Sequence, residues 1–127
     1  TDLVPNYDPR WVYSGTFLTA PDAIAANLAK LAKYRNHKGA LGAGISPVPY
    51  QNTGFDVPGY GFGFMCDGGQ DGQLPRWVGH GGGGPGFSLM ALVNTSTWEA
   101  GLEWAGGSEF DQARVIASLR GNLANLD

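Results

Sequence analysis

Apolar side chains recur at the spacing of an amphipathic α-helix in two stretches of the chain. The members of the first set are Ile24, Leu28 and Leu31, and those of the second are Ile116, Leu119, Leu123 and Leu126. Residues three or four positions apart share one face of a helix, so each set predicts a helix with one buried side.

Capping residues indicate where these two helices begin. Thr19 can cap the first helix, Asp22 three residues later fits a capping box, and the helix should run to about Tyr34. Ser108 can cap the second helix, with Asp111 in the first turn, where the helix dipole favours negative charge. A helix is therefore expected on each side of the central part of the chain.

Short segments rich in aromatic and β-branched residues predict strands. They cover residues 13–18, 60–65, 76–80, 87–95 and 98–105, and a glycine-rich turn is expected over 67–72. Residues 36–59 have few periodic positions and predict a long irregular excursion. The last three strands follow one another closely, as in an antiparallel meander. The sequence therefore predicts an α+β fold, an antiparallel β-sheet with flanking helices, with residues 1–127 forming one unit.

Composition narrows the choice of partners. The net charge of −3 gives no basic surface for nucleic acid, and no apolar run is long enough to span a membrane. Two distant histidines and the single Cys66 offer no paired metal-ligand spacing, so neither a metal nor a cofactor is expected. Cys66 is interpreted as a small buried hydrophobic residue.

The most informative stretch is residues 77–87, WVGHGGGGPGF, in which an apolar strand runs into four consecutive glycines. Glycine lets a ligand lie directly against a strand edge, and it permits φ values that direct backbone N–H groups into a shared concavity. The same residues could instead form only a tight glycine hairpin.

This stretch resembles the serine β-lactamase, penicillin-binding-protein and esterase superfamily, in which a Lys-Thr-Gly or His-x-Gly triplet borders the active site. Residues 80–82 match the His-x-Gly form, and the glycines, Pro-Gly-Phe and second apolar strand that follow are similar too. Residues 13–17 and the Tyr-Gly-Phe-Gly string at 60–63 also look like parts of that family, so the likeness covers nearly the whole chain.

The resemblance implies roles for six residues. The N–H of Gly83 would donate to the oxyanion that forms during acyl transfer, and His80, with Gly81 and Gly82, would hold the substrate. Tyr60 and Phe62 would lie near the wall of the site. Histidine in place of the family's usual lysine favours esterase, amidase or D-aminopeptidase chemistry on a small ester, amide or peptide over recognition of penicillin.

The family's nucleophile, the serine of Ser-x-x-Lys, is missing, since no serine of this chain has lysine three residues later. The chain also begins without an initiator methionine. We therefore expect that the chain is a C-terminal portion of the fold and is inactive alone. An N-terminal segment that carries the nucleophile would complete it, or else the isolated chain would self-associate. The resemblance favours a periplasmic or secreted location and leaves the compartment unknown.

Two Tyr-x-Asn strings, beginning at Tyr34 and Tyr50, come too late in the chain to match the family's tyrosine motif. An α/β-hydrolase oxyanion loop would need a Gly-x-Ser-x-Gly elbow, and a phosphate-binding loop would need Gly-Lys-Ser/Thr; the sequence contains neither. The alternative that stays open is a non-catalytic binding domain that keeps this scaffold.

Overall fold

The computed structural model describes residues 21–37, 44–48, 53–61, 63–84, 87–106 and 111–124. Two helices and six strands lie in these ranges. In chain order they are α1 (Pro21–His37), β1 (Ser46–Pro47), β2 (Pro58–Gly61), β3 (Phe64–Asp67), β4 (Trp77–Gly84), β5 (Phe87–Asn94), β6 (Ala100–Gly106) and α2 (Gln112–Ala124).

The six strands form one sheet in the order β1-β2-β3-β4-β5-β6, and every neighbouring pair is antiparallel. Each strand therefore pairs with the next one in sequence, which is the simplest antiparallel arrangement. The longest ladder joins β4 to β5 over eight residue pairs, from Trp77 with Asn94 to Gly84 with Phe87. The predicted α+β class and antiparallel meander are confirmed.

The sheet is covered by one helix on each face. Successive side chains of a strand point to opposite faces, and β5 shows this with Leu92 and Val93. Val93 packs with Ala32 of α1, whereas Leu92 packs with Ile116 of α2. All four side chains are almost completely buried. The protein therefore has two apolar cores, and the sheet lies between them.

The predicted strand over residues 60–65 is two strands joined by a turn. β2 ends at Gly61, β3 begins at Phe64, and the two pair with each other through Tyr60 and Met65. Gly63 in the turn has φ of +85°, a left-handed conformation that glycine adopts at little cost. Alternation of aromatic residues with glycine fits a strand as well as this hairpin, so the pattern alone gave a wrong element.

Several boundaries also differ from prediction. α1 runs to His37 rather than to Tyr34, and residues 46–47 and 58–59 within the predicted irregular region are strands. The last strand begins at Ala100 because the chain is still turning at Trp98, where φ is +61°. The predicted strand over residues 13–18 and the Thr19 cap lie outside the described residues.

Asp111 caps the second helix. Its Oδ1 accepts the N–H of Arg114 at 3.2 Å, and its carbonyl accepts the N–H of Val115 at 3.0 Å. These are the bonds that an N-cap residue makes to the first turn. The predicted cap, Ser108, lies outside the described residues, and the helix begins after Asp111. Leu119 and Leu123 are buried as predicted.

Charged side chains tie α2 to the sheet. Arg120 of α2 donates to Asp56 Oδ2 at 2.9 Å and to the Gly54 carbonyl at 3.3 Å. Arg76, just before β4, bonds the same Asp56 oxygen at 3.4 Å. Behind them Asp67 is completely buried and accepts the N–H of Val57 at 2.7 Å. This network fixes the chain before β2 against both α2 and β4.

Within the part of the chain that the structure describes, neither helix has the length and apolar content needed to cross a membrane.

Candidate functional site

The glycine-rich segment is part of a strand rather than a loop. All residues of β4 from Trp77 to Gly84 pair with β5 on one side. On its other side, β4 pairs with β3 only from Trp77 to Gly79. The stretch from His80 to Gly84 therefore extends beyond β3 and faces no described strand on that side. We call this side of residues 80–84 the open edge.

The open edge exists because β3 is short. Continuing the register of β3 with β4 would place residue 63 opposite Gly81. Instead the chain turns at Gly63, and β3 begins only at Phe64. The tight β2–β3 hairpin therefore ends beside the middle of β4, and it leaves the glycine half of that strand without a neighbour among the described residues.

Which amides face the open edge follows from hydrogen-bond alternation along β4. In an antiparallel ladder the backbone groups of successive residues point to opposite sides. The N–H of Thr95 donates to the carbonyl of Arg76 at 3.2 Å, which sets the phase of the β4–β5 ladder. In this alternation the N–H and carbonyl groups of His80 and Gly82 form hydrogen bonds with β5. The N–H and carbonyl of Gly81 and Gly83 then point to the open edge.

The glycines of β4 differ in whether the fold has room for a side chain at their positions. A β-carbon at Gly79 would overlap the carbonyl oxygen of Ala91, so packing within the sheet requires glycine there. At Gly81 and Gly82 the nearest atoms would be 3.6 and 3.7 Å away, which is ordinary contact distance. The fold therefore does not demand glycine at 81 and 82, and their bare backbone leaves room for an approaching group.

The expectation that special φ values aim the amides is wrong for this segment. Left-handed φ occurs at Gly63 and in the turn at Gly68, Gly69 and Gly72, but not at residues 81–83. The amides of Gly81 and Gly83 point the same way because they are two residues apart in an extended strand. Together they form a row along the open edge.

Tyr60 and His80 meet at the end of this edge. The Tyr60 hydroxyl lies 3.1 Å from Nε2 of His80, and the two rings stand edge to face with centroids 5.8 Å apart. Nδ1 of His80 lies 2.5 Å from the carbonyl oxygen of Gly81. Three of the residues singled out from the sequence, Tyr60, His80 and Gly81, are thus joined in one chain of hydrogen bonds.

A row of residues runs across the sheet from β4, away from the open edge. Gly82, Leu89 and Trp104 are direct partners across β4, β5 and β6, so they lie on one face of the sheet. That face is also the face of His80, because Gly82 is two residues further along β4. Trp104 is 53% exposed. Sequence reasoning missed Leu89 and Trp104, because only the sheet register places Leu89 next to Gly82 and Trp104 one strand further away.

The remaining candidates take no visible part in this arrangement. Phe62 lies outside the described residues. Cys66 is completely buried in the core on the α1 side, as its interpretation as a hydrophobic residue predicts. Among the described ranges, no group of three or more histidine, cysteine, aspartate or glutamate side chains is placed to hold a metal ion.

The chain was compared with protein-family models, with curated proteins and with solved structures, and none of them matched it.

Proposed function

We propose that this chain is the C-terminal portion of a serine hydrolase similar to the β-lactamases, penicillin-binding proteins and related esterases. It supplies the oxyanion-binding strand, and another polypeptide segment supplies the Ser-x-x-Lys nucleophile. The substrate is a small ester, amide or peptide. The observation that carries the proposal is the pair of amides, Gly81 and Gly83, that point together to the open edge.

Backbone amides in this position suit acyl transfer. When a serine oxygen attacks a carbonyl carbon, the carbonyl oxygen gains negative charge, and N–H donors already in place stabilise it. The amide of Gly83 would donate to that oxygen, and the amide of Gly81, roughly 6.5 Å away along the strand, would hold another part of the substrate. Both belong to a strand paired with β5, so they need little reorganisation. The absence of side chains at 81–83 lets the substrate carbonyl approach the backbone closely.

The surroundings of the edge suit a carbonyl compound. The polar groups described there are backbone amides, a hydroxyl and an imidazole. On the face of the sheet behind β4, Leu89 and then Trp104 offer apolar surface for the hydrocarbon part of an acyl or leaving group. Backbone N–H donors next to apolar surface fit the carbonyl and the hydrocarbon part of an ester or amide.

The proposal is tested in the assembled enzyme by removing one amide. Gly83→Pro deletes the N–H of a residue whose amide points away from β5, so no ladder hydrogen bond is lost. We expect kcat to fall by roughly 100- to 1,000-fold, the usual effect of losing one oxyanion donor. Gly83→Ala is the matched control: it also adds a β-carbon at the edge but keeps the N–H, so its loss of activity should be clearly smaller than that of Gly83→Pro.

Circular dichroism of both variants would establish that they fold. Equal activity of Gly83→Pro and Gly83→Ala in folded enzyme would overturn the oxyanion assignment.

The second candidate function is a non-catalytic binding domain. It is favoured by the absence of any serine with a lysine three residues later in this chain. The two functions differ in their reaction with a fluorophosphonate, which modifies activated serines. Labelling of a Ser-x-x-Lys serine in the polypeptide or complex that contains this chain supports the hydrolase, whereas a complex that stays unlabelled supports the binding domain.

A further inference from the structure

The hydrogen bonds of His80 define its tautomer. The Gly81 carbonyl oxygen, 2.5 Å from Nδ1, can only accept a hydrogen bond, so Nδ1 must carry a proton. A neutral imidazole carries one proton, which leaves Nε2 as an acceptor. The Tyr60 hydroxyl, 3.1 Å from Nε2, is then the donor. The direction of the chain is therefore from Tyr60 through His80 to Gly81.

We infer that Tyr60 is a positioning residue: it holds His80 in the Nδ1–H tautomer, and His80 in turn caps the Gly81 carbonyl on the open edge. Tyr60 and His80 lie on different strands, β2 and β4, with β3 between them in the sheet order. Tyr60 pairs with Met65, and Met65 pairs with Gly79, so β3 separates the two backbones at this level. The side chains nevertheless meet, with the Tyr60 hydroxyl 3.1 Å from His80 Nε2.

The cap changes what the edge offers to a ligand. The carbonyl of Gly81 points to the open edge but already accepts the proton of His80. The N–H groups of Gly81 and Gly83 and the carbonyl of Gly83 have no partner among the described residues. Two donors and one acceptor are therefore left on the edge, and the donors suit the oxygen of a carbonyl or carboxylate. An added peptide strand would need both the N–H and the carbonyl of Gly81, and it would have to compete with His80 for the latter.

The tautomer of His80 is a property of the chain without substrate. Only the effect of the capped carbonyl on substrate binding rests on the proposed function. The test is nitrogen-15 NMR of the intact chain with labelled histidine. The spectra are recorded near pH 8.5, well above the ordinary histidine pKa of about 6.5. The two imidazole nitrogens have very different chemical shifts according to which one carries the proton. His80→Gln identifies the signals of His80 against those of His37.

In the unmodified chain we expect the Nδ1–H form of His80 to predominate. In Tyr60→Phe the ratio should move toward Nε2–H by roughly fivefold, the effect of one lost neutral hydrogen bond. Tyr34→Phe makes the same chemical change on α1 and should leave the ratio unchanged. The carbonyl carbon shift of Gly81 should move in Tyr60→Phe and stay in Tyr34→Phe.

A predominant Nε2–H form in the unmodified chain, or the same ratio in Tyr60→Phe, would overturn the inference. Tyr60 is 43% exposed, and the substitution removes only its hydroxyl, so Tyr60→Phe is expected to fold. If Tyr60→Phe does not fold, the tautomer of His80 in the unmodified chain still tests the inference. The two tests are independent. If the Gly83 variants contradict the oxyanion role, the tautomer of His80 can still be as inferred, and if the tautomer differs, the results with the Gly83 variants still hold.

Discussion

Gly79 lies so close to Ala91 on the neighbouring strand that a β-carbon at position 79 would overlap the Ala91 carbonyl oxygen. The two residues belong to the longest ladder of the sheet, between β4 and β5. Relief would require these two strands to separate. Further along the same strand, a β-carbon at Gly82 would meet Leu89 only at an ordinary contact distance, which makes the two positions a natural comparison.

Gly79→Ala should destabilise the chain by about 1 to 3 kcal/mol, the usual cost of forcing an extra carbon into a packed interior. Gly82→Ala should change stability by less than about 1 kcal/mol, because its β-carbon would meet only Leu89 at 3.7 Å. Urea denaturation measures both free energies of unfolding. Equal effects of the two substitutions would contradict the close approach of Gly79 to Ala91.

Asp56 should make stability depend on acid pH. The hydrogen bond and charge of Arg120, with a smaller contribution from Arg76, lower the pKa of Asp56 below its usual value. A lowered pKa in the folded state gives stability that is complete above the unfolded pKa, about 3.9. That stability is lost as pH falls through the folded value. Unfolding monitored from pH 6 to pH 2.5 should therefore show a smaller acid-induced loss in Asp56→Asn than in the unmodified chain.

Glu99→Gln controls for the change in charge, because it removes a carboxylate from the turn between β5 and β6. It should keep the steep acid dependence of the unmodified chain. Identical profiles for the unmodified chain and Asp56→Asn would show that the contacts with Arg120 and Arg76 contribute nothing to folding.

Cys66 should report on opening of the core. Burial raises the pKa of its thiol to about 11, and its side chain is completely covered. Only the thiolate reacts with disulfide reagents, so both effects slow modification of the native chain. At pH 8 we expect modification to be slower by on the order of 100-fold than in the urea-unfolded chain. Rapid labelling without denaturant would contradict the burial of Cys66 in the core on the α1 side.

Asp111→Ala should weaken the start of α2. The substitution removes the oxygen that accepts the Arg114 N–H, and loss of such a cap costs about 1 kcal/mol. Thermal unfolding would measure the loss, and Asp111→Asn, which retains an acceptor oxygen, should recover most of it. An unchanged melting temperature in Asp111→Ala would assign the cap to another residue.

Much of the fold was predictable because local signals agreed with the final arrangement. The apolar spacing of Ile116, Leu119 and Leu123 predicted the buried face of α2, and the short connections among the last three strands predicted their antiparallel order. The hairpin at Gly63 was not predictable. Aromatic residues alternating with glycine satisfy a continuous strand equally well, and only pairing of Tyr60 with Met65 distinguishes the two.

The site was predictable as a set of residues but not as an arrangement. Tyr60 and His80 were both selected from their motifs, yet their contact joins β2 and β4, which are not neighbours in the sheet. Trp104 could not be selected at all, because its place in one row with Gly82 and Leu89 depends on two consecutive strand registers. Such relationships arise from pairing over long sequence separations, which local patterns do not record.

The phase of the β4 ladder has a consequence for how the glycine run can change. Consecutive glycines look interchangeable in a sequence, but odd and even positions serve opposite sides of the strand. Deleting one glycine between His80 and Phe87 would leave the composition almost the same and would oblige the turn or the register to adjust. Selection on this segment should therefore tolerate replacement of some glycines more readily than a change in their number.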